Sequence, residues 1–127
     1  MSDGFLILLM VFCHIVDDYY LQGILAKMKQ KRWWEENAPD KKYKTDWEVA
    51  LYMHGFSWTF MIMLPIAIAN QFEINLLFVI IFFVNGFIHC FVDDLKANKL
   101  KINLRQDQGV HLLQVLVTAW LHIFNLI

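Results

Sequence analysis

Ten ionisable side chains that could do chemistry lie within or beside long apolar segments, where such groups are rare and costly. Imidazole nitrogens and ionised carboxylates are donors that suit Zn, Mn or Fe, and a bound dication would offset the cost of burying carboxylates near hydrocarbon. These residue types therefore predict a site for one or two divalent transition-metal ions. The ten residues are His14, Asp17, Asp18, His54, His89, Asp93, Asp94, Asp107, His111 and His122.

The spacing of these residues selects the predicted ligands, because residues four apart on a helix share a face. Three His/Asp pairs have this spacing, and together they give the predicted metal ligands His14, Asp18, His89, Asp93, Asp107 and His111. His54, or an unliganded carboxylate such as Asp17, is predicted to act in catalysis as a proton shuttle. The alternatives are that the pairs are hydrogen bonds joining helices and that Asp107 is a helix N-cap.

Two carboxylates, Asp17 and Asp94, lie off the shared faces, and we expect them to meet water or lysines. The lysines close to the third helix are likewise expected to point to water. In the last helix a polar stripe repeats at about 100° per residue and is predicted to face the interior. Its members are Asp107, His111, Gln114, Thr118, His122 and Asn125.

The elements that must position these residues are four apolar segments, since a membrane-spanning helix needs about 20 residues. Hydrophobic residues make up 58% of the chain and charged residues 18%, which excludes an ordinary soluble domain with about 25% charged residues. We predict an all-α fold, a four-helix bundle in a membrane, as a single domain of residues 1–127. The predicted spans are 5–26, 49–70, 74–95 and 108–127.

Basic residues are segregated, because all 11 Lys and Arg side chains fall in the segments 27–48 and 96–107. The positive-inside rule predicts that both loops are cytoplasmic and both termini lie outside, in a cytoplasmic (inner) membrane. The segment KMKQKRWWEEN between the first two spans resembles a basic interfacial helix that would contact anionic lipid headgroups, and the alternative is a simple topology anchor. Membrane lipids are therefore the expected partners. The formal net charge of -1 disfavours nucleic acid. A homo-oligomer is a further expectation.

Three stretches of this sequence resemble the signature motifs of a family of small bacterial and phage membrane proteins, the domain of unknown function 3307. They are HIVDDYYLQ, with His14, Asp18 and Gln22; HCFVDDLK, with His89, Asp93 and Lys96; and DQGVH, with Asp107, Gln108 and His111. The resemblance implies a four-helix membrane domain with inward His, Asp and Gln residues. The pattern of these motifs is also similar, more loosely, to that of membrane-bound metal-dependent hydrolases.

Two functions from different classes follow from these observations. The first is a metal-dependent hydrolase that acts on a lipid or lipid-linked phosphoester at the cytoplasmic face. The second is a membrane protein without enzymatic activity, such as a proton or metal-ion conductor or a phage-encoded factor that modifies the host envelope.

Overall fold

The computed structural model describes residues 1–127 and contains helices and no strands, which confirms the predicted all-α class. The elements are α1 (Asp3–Ile15), a π-helical segment (Val16–Leu21), α2 (Leu25–Met28), α3 (Lys31–Asn37), a 3-10 turn (Lys41–Tyr43), α4 (Asp46–Ala69), α5 (Leu76–Ala97) and α6 (Leu104–Ile123). The four predicted spans overlap α1 with its π-helical continuation, α4, α5 and α6. Around the bundle α1 lies next to α4 and α6, and α5 lies next to the same two helices.

Three helical stretches, Asp3–Leu21, Lys41–Ala69 and Leu76–Ala97, are long and apolar enough to cross a membrane. The fourth predicted span coincides with α6, which has 20 residues but a less apolar sequence. Its lower hydropathy has a structural cause, because four polar residues of α6 are buried inside the bundle. They are Asp107, His111, Gln114 and Thr118.

Large apolar side chains cover the outside of the long helices. Phe12, Phe60, Phe87 and Trp120 are each more than half exposed, whereas many buried residues are polar. Soluble proteins bury apolar side chains and expose charged ones, so this distribution is typical of helices that face lipid.

Apolar residues fill one half of the interior, the half that holds both termini and the 70–75 turn. Ten side chains form this apolar core, with Trp58 at its inner boundary. The core comprises Leu6, Met10, Trp58, Ile62, Met63, Ile66, Phe78, Val115, Ala119 and Ile127. The buried ionisable residues lie in the other half, so the interior is divided along its length.

The two basic loops meet at the polar end of the bundle. The backbone N–H of Lys31 donates to Asn98 Oδ1 over 2.8 Å, and Asn98 Nδ2 donates to the carbonyl oxygen of Lys29 over 3.1 Å. Both basic loops therefore lie at the same end of the bundle.

The basic segment between the first two long helices is not the single interfacial helix that the sequence indicates. It is broken into α2 and α3, and Lys29 at the break is only 5% exposed. The break has a physical reason, because Lys29 turns inward to form an ion pair with Asp93. The indole N–H of Trp34 also donates to the carbonyl oxygen of Met28 over 2.6 Å and holds the two short helices together.

Two glycines bring α4 and α5 into close contact. A Cβ atom on Gly55 would lie 2.4 Å from Cys90 Sγ, and one on Gly86 would lie 2.4 Å from the ring of Phe56. Small residues let helix backbones approach closely in membrane proteins. In the sequence His54 directly precedes Gly55, and His89 directly precedes Cys90. The close contact between the two helices therefore fixes the position of His54 relative to His89.

Candidate metal centre

Six buried residues from four elements form a cluster, called here the His/Asp cluster. The π-helical segment contributes one residue, α4 one, α5 two and α6 two. None of the six is more than 4% exposed. The members are Asp18, His54, His89, Asp93, Asp107 and His111.

Two overlapping groups within this cluster have the spacing of metal ligands. The ligand atoms of Asp18, His54 and His89 lie within 4.8 Å of one another, and so do those of His89, Asp93 and His111. His54 Nε2 is 3.1 Å from His89 Nε2 and 3.4 Å from Asp18 Oδ1. Neighbouring ligands of a tetrahedral zinc ion, with bonds of about 2.0–2.1 Å, lie roughly 3.3 Å apart. Buried His and Asp groups at ligand distance could therefore hold a metal ion.

Asp93 lies at the centre of the cluster and faces three imidazoles, two with one carboxylate oxygen and one with the other. Its Oδ2 is 3.2 Å from His54 Nε2 and 3.8 Å from His89 Nε2, and its Oδ1 is 3.4 Å from His111 Nε2. The His89 and Asp93 pair thus faces inward as its spacing predicts. The sequence predicts that His54 is a proton shuttle. In the structure His54 is itself at ligand distance from Asp18 and His89.

Two lysines form ion pairs with this cluster. Lys29 Nζ is 2.6 Å from Asp93 Oδ2, and Lys96 Nζ is 2.5 Å from Asp107 Oδ2. The expectation that the lysines close to the third helix point to water is wrong for Lys96, because buried carboxylates need compensating charge. Two ammonium groups do not balance three carboxylates, since Asp18 brings a third negative charge when the imidazoles are neutral.

His14 and Asp18 do not form the predicted pair, because the helix changes to π geometry at Val16 and rotates Asp18 away. Trp58 Nε1 donates to His14 Nδ1 over 2.8 Å, so His14 Nε2 carries the ring proton and donates to Gln108 Oε1 over 3.1 Å. The amide of Gln108 in turn donates to Asp18 Oδ2 over 2.7 Å. Both ring nitrogens of His14 have protein partners, and its role as a metal ligand stays a prediction.

Asp17 is buried beside the cluster, so the expectation that it meets water or lysines is wrong. It is 1% exposed, and Ser57 Oγ donates to its Oδ1 over 2.7 Å while its Oδ2 has no partner. The π-helical segment turns two consecutive aspartates inward, whereas consecutive residues of an α-helix point about 100° apart. Asp94, by contrast, pairs with Lys99 at 2.9 Å, as expected.

The polar stripe on α6 faces inward at its first four positions, Asp107, His111, Gln114 and Thr118. Beyond them His122 is half-buried, and Asn125 is exposed because the helix has ended at Ile123. The N-cap of this helix is Asn103, which forms a capping box with Gln106. The N-cap alternative for Asp107 is therefore wrong, and its carboxylate Oδ1 lies 3.4 Å from His111 Nε2.

Trp58 separates the cluster from the apolar core. Its ring stacks on His89 with centroids 4.3 Å apart, and His89 stacks on His111 with centroids 4.0 Å apart. Sequence reasoning did not identify Trp58, although it follows His54 by four residues and shares its helix face. Lys29 gave no such signal, because its segment has the composition of a surface loop.

A groove lies on the outer surface between α1 and α6. It has a volume of about 540 Å³, and Gln108 and His14 line it together with apolar and aromatic side chains. Tyr19 and Tyr20 lie at its rim and are both exposed. The groove therefore reaches Gln108, whose amide donates to Asp18 and to Asp107.

No protein-family model, curated protein or solved structure matches this chain.

Proposed function

We propose that this chain is a cytoplasmic-membrane protein that binds a divalent transition metal at the His/Asp cluster and hydrolyses a lipid or lipid-linked phosphoester. The observation that carries the proposal is the ligand-like spacing of Asp18, His54 and His89, three fully buried residues from three separate elements. Intramembrane ionisable groups are costly and are usually functional.

Charge balance supports a cation at this site. Four buried carboxylates, three in the cluster and that of Asp17 beside it, face two ammonium groups, and neutral imidazoles add nothing to the balance. Removing charges from water costs several kcal/mol per ion unless they are compensated, so the cluster favours a further positive charge. A dication bound by imidazole and carboxylate would supply it.

The division of the interior favours an enzyme over a conductor. A proton or ion path needs polar groups across the whole membrane thickness. Here the buried polar residues extend only as far as the hydrogen-bonded pair Asn85 and Thr118, and the ten apolar core residues fill the rest of the bundle. A proton or ion conductor is therefore the second candidate function.

A lipid substrate fits the surroundings of the cluster. The groove between α1 and α6 opens on the apolar surface and has Gln108 in its lining, so acyl or isoprenyl chains could stay in lipid while the headgroup reaches the polar residues. The basic loops lie at the same end, where they would attract anionic headgroups and, by the positive-inside rule, face the cytoplasm.

A divalent ion held by Asp18, His54 and His89 would supply a water of lowered pKa, whose oxygen would replace the ester oxygen on phosphorus and release the alcohol part of the substrate. Asp17, with its unpartnered Oδ2, is the buried carboxylate best placed to accept the water proton, and Ser57 holds its orientation. Gln108 orients Asp18 through its amide. Lys96, which is partly exposed, would contact the phosphate as negative charge develops.

We also propose membership in the domain of unknown function 3307. Seven of the nine motif residues belong to the cluster or to its direct hydrogen-bond and ion-pair partners. Of the other two, His14 reaches Asp18 through Gln108, and Gln22 donates to the backbone carbonyl of Asp18. The three motifs thus converge on one place, as expected if they carry one function.

The activity is tested with purified protein in mixed micelles that contain phosphatidic acid, phosphatidylglycerol or an isoprenyl diphosphate, with Zn or Mn added. We expect release of inorganic phosphate or a water-soluble phosphoester from at least one substrate. Asp18→Asn should lower the rate by at least 100-fold, whereas His122→Gln, a histidine of α6 outside the cluster, should leave it unchanged.

The opposing result is a metal-bound protein that turns over none of these substrates but carries a proton or cation flux across liposomes. If Asp18→Asn abolishes that flux, the conductor is correct and the hydrolase is wrong.

A further inference from the structure

We infer that the cluster holds two metal ions, and that the second lies between His111, Asp93 and Asp107. This inference rests on the proposed metal site and specifies its nuclearity. It is carried by three buried atoms that have no hydrogen-bond partner, His111 Nε2, Asp93 Oδ1 and Asp107 Oδ1. His111 Nε2 is 3.4 Å from each of the two oxygens.

The protonation state of His111 follows from its other neighbour. The amide nitrogen of Gln114 donates to the backbone oxygen and to Oδ1 of Asn85, over 3.0 and 3.1 Å. The amide nitrogen of Asn85 donates to Thr118 Oγ1 over 2.8 Å, which fixes its own orientation. The remaining atom of the Gln114 amide, Oε1, faces His111 Nδ1 at 3.3 Å and can only accept. His111 Nδ1 therefore carries a proton.

A neutral His111 then has a bare lone pair on Nε2, directed toward two carboxylate oxygens. Two buried carboxylate oxygens, each 3.4 Å from an imidazole lone pair, repel that lone pair unless a cation joins them. Imidazole and two carboxylates are a ligand set suited to Mn, Fe or Zn. The network of Gln114, Asn85 and Thr118 thus presents His111 as a ligand, in the way that outer hydrogen bonds orient metal-binding histidines.

The lysine nearest to this point lies on the far side of Asp107. A second ion would release its partly exposed ammonium group toward water, so the site need not hold both positive charges. Lys96 Nζ lies on the other oxygen of Asp107, Oδ2, and is 3.9 Å from Asp93 Oδ1. A second proton on His111 is the remaining competitor, and the experiment below distinguishes it from a metal ion.

Asp93 connects the two subsites. Its Oδ2 faces His54 and His89, which belong to the first ligand group, while its Oδ1 faces His111. A carboxylate that bridges two ions is a recurring arrangement in two-metal hydrolases, where the pair stabilises both the attacking and the leaving oxygen. The arrangement also explains why one aspartate contacts three imidazoles.

The test is metal stoichiometry on protein purified in detergent without chelator, loaded with Mn and measured by elemental analysis. We expect about two ions per chain in the wild type and in His122→Gln, and about one in His111→Gln. Asp107→Asn serves as a second variant if His111→Gln does not fold, as judged by circular dichroism, and should also hold about one ion. Electron paramagnetic resonance should detect a spin-coupled Mn pair in the wild type only.

One ion per chain in the wild type without spin coupling overturns the two-ion inference, whether or not His111→Gln loses that ion. If His111→Gln keeps it, His111 is an imidazolium and the proposed function survives with a mononuclear site. No bound metal in the wild type overturns the metal site itself, and the two-ion inference with it.

Discussion

The contact between Lys29 and Asp93 shows how single residues compete for the cluster. The ammonium lies 2.6 Å from Oδ2, an oxygen that also faces two imidazoles at ligand distance. A metal ion and an ammonium group both seek this oxygen. Lys29 therefore compensates Asp93 in the metal-free protein and weakens metal binding at the same position.

Replacing Lys29 by methionine should make stability depend on metal. Lys29→Met leaves a buried carboxylate without its partner, which should destabilise the metal-free protein by about 3–5 kcal/mol. Added Zn or Mn should restore most of this loss, so the metal-induced rise in Tm, measured with and without chelator, should be larger than in the wild type.

Lys99→Met is the matched control, because Lys99 pairs with Asp94 at the surface. It should leave the metal-induced rise in Tm unchanged. Equal rises in the wild type and in Lys29→Met would contradict competition between Lys29 and metal.

At the scale of elements, the π-helical segment and the close contact of α4 with α5 set the shape of the cluster. The first turns Asp17 and Asp18 inward together, and the second brings His54 Nε2 within 3.1 Å of His89 Nε2. The backbone geometry of these two features decides which ligand atoms meet.

These features also mark how far the sequence predicts the site. Spacing of four residues correctly predicts the inward faces of α5 and α6, where the helices are regular. It fails for His14 and Asp18, because no local residue pattern marks a change to π geometry. It cannot find Lys29 either, since this lysine contacts an aspartate 64 residues away. Regular periodicity can be read from sequence, whereas contacts between distant segments need the packed structure.

Adding one methyl group at Gly55 should separate α4 from α5. In Gly55→Ala the new Cβ would meet Cys90 Sγ at 2.4 Å, so the helices must shift, at a cost of about 1–3 kcal/mol in unfolding free energy. Metal affinity should fall as well, because His54 moves away from His89. Thermal unfolding and metal titration in detergent measure both effects.

The double variant Gly55→Ala/Cys90→Ala removes the clashing sulfur and should recover part of the loss. Gly109→Ala is the control, because a Cβ there has no neighbour within 4 Å. It should be neutral or slightly stabilising. A Gly55→Ala protein as stable as Gly109→Ala would show that the close contact is not important.

At the scale of the whole molecule, the two basic loops contact each other at one end of the bundle, and the apolar core fills the other end. A bundle built in this way would sit in a membrane with its cluster near one interface. The segregation of basic residues indicates that this interface is cytoplasmic.

Cysteine labelling in intact cells tests this orientation in a Cys13→Ala/Cys90→Ala background. Lys42→Cys and Lys99→Cys are exposed in the two basic loops and should both be shielded from a membrane-impermeant maleimide until the membrane is opened. Ser2→Cys, at the opposite end, should react at once. Labelling of Lys42→Cys and Lys99→Cys from different sides would exclude the proposed arrangement of spans.

The apolar core also has an electrical consequence. A voltage across the membrane acts on a charge in proportion to the fraction of the insulating layer that the charge crosses, up to about 2.3 kcal/mol per 100 mV for one elementary charge. Ten apolar side chains insulate the cluster from the end that holds both termini, while its other side adjoins the basic loops. A cation that reaches the cluster from the basic end therefore crosses little of the field. The occupancy of the cluster by this cation would follow the ion concentration on that side and would be nearly independent of the transmembrane voltage.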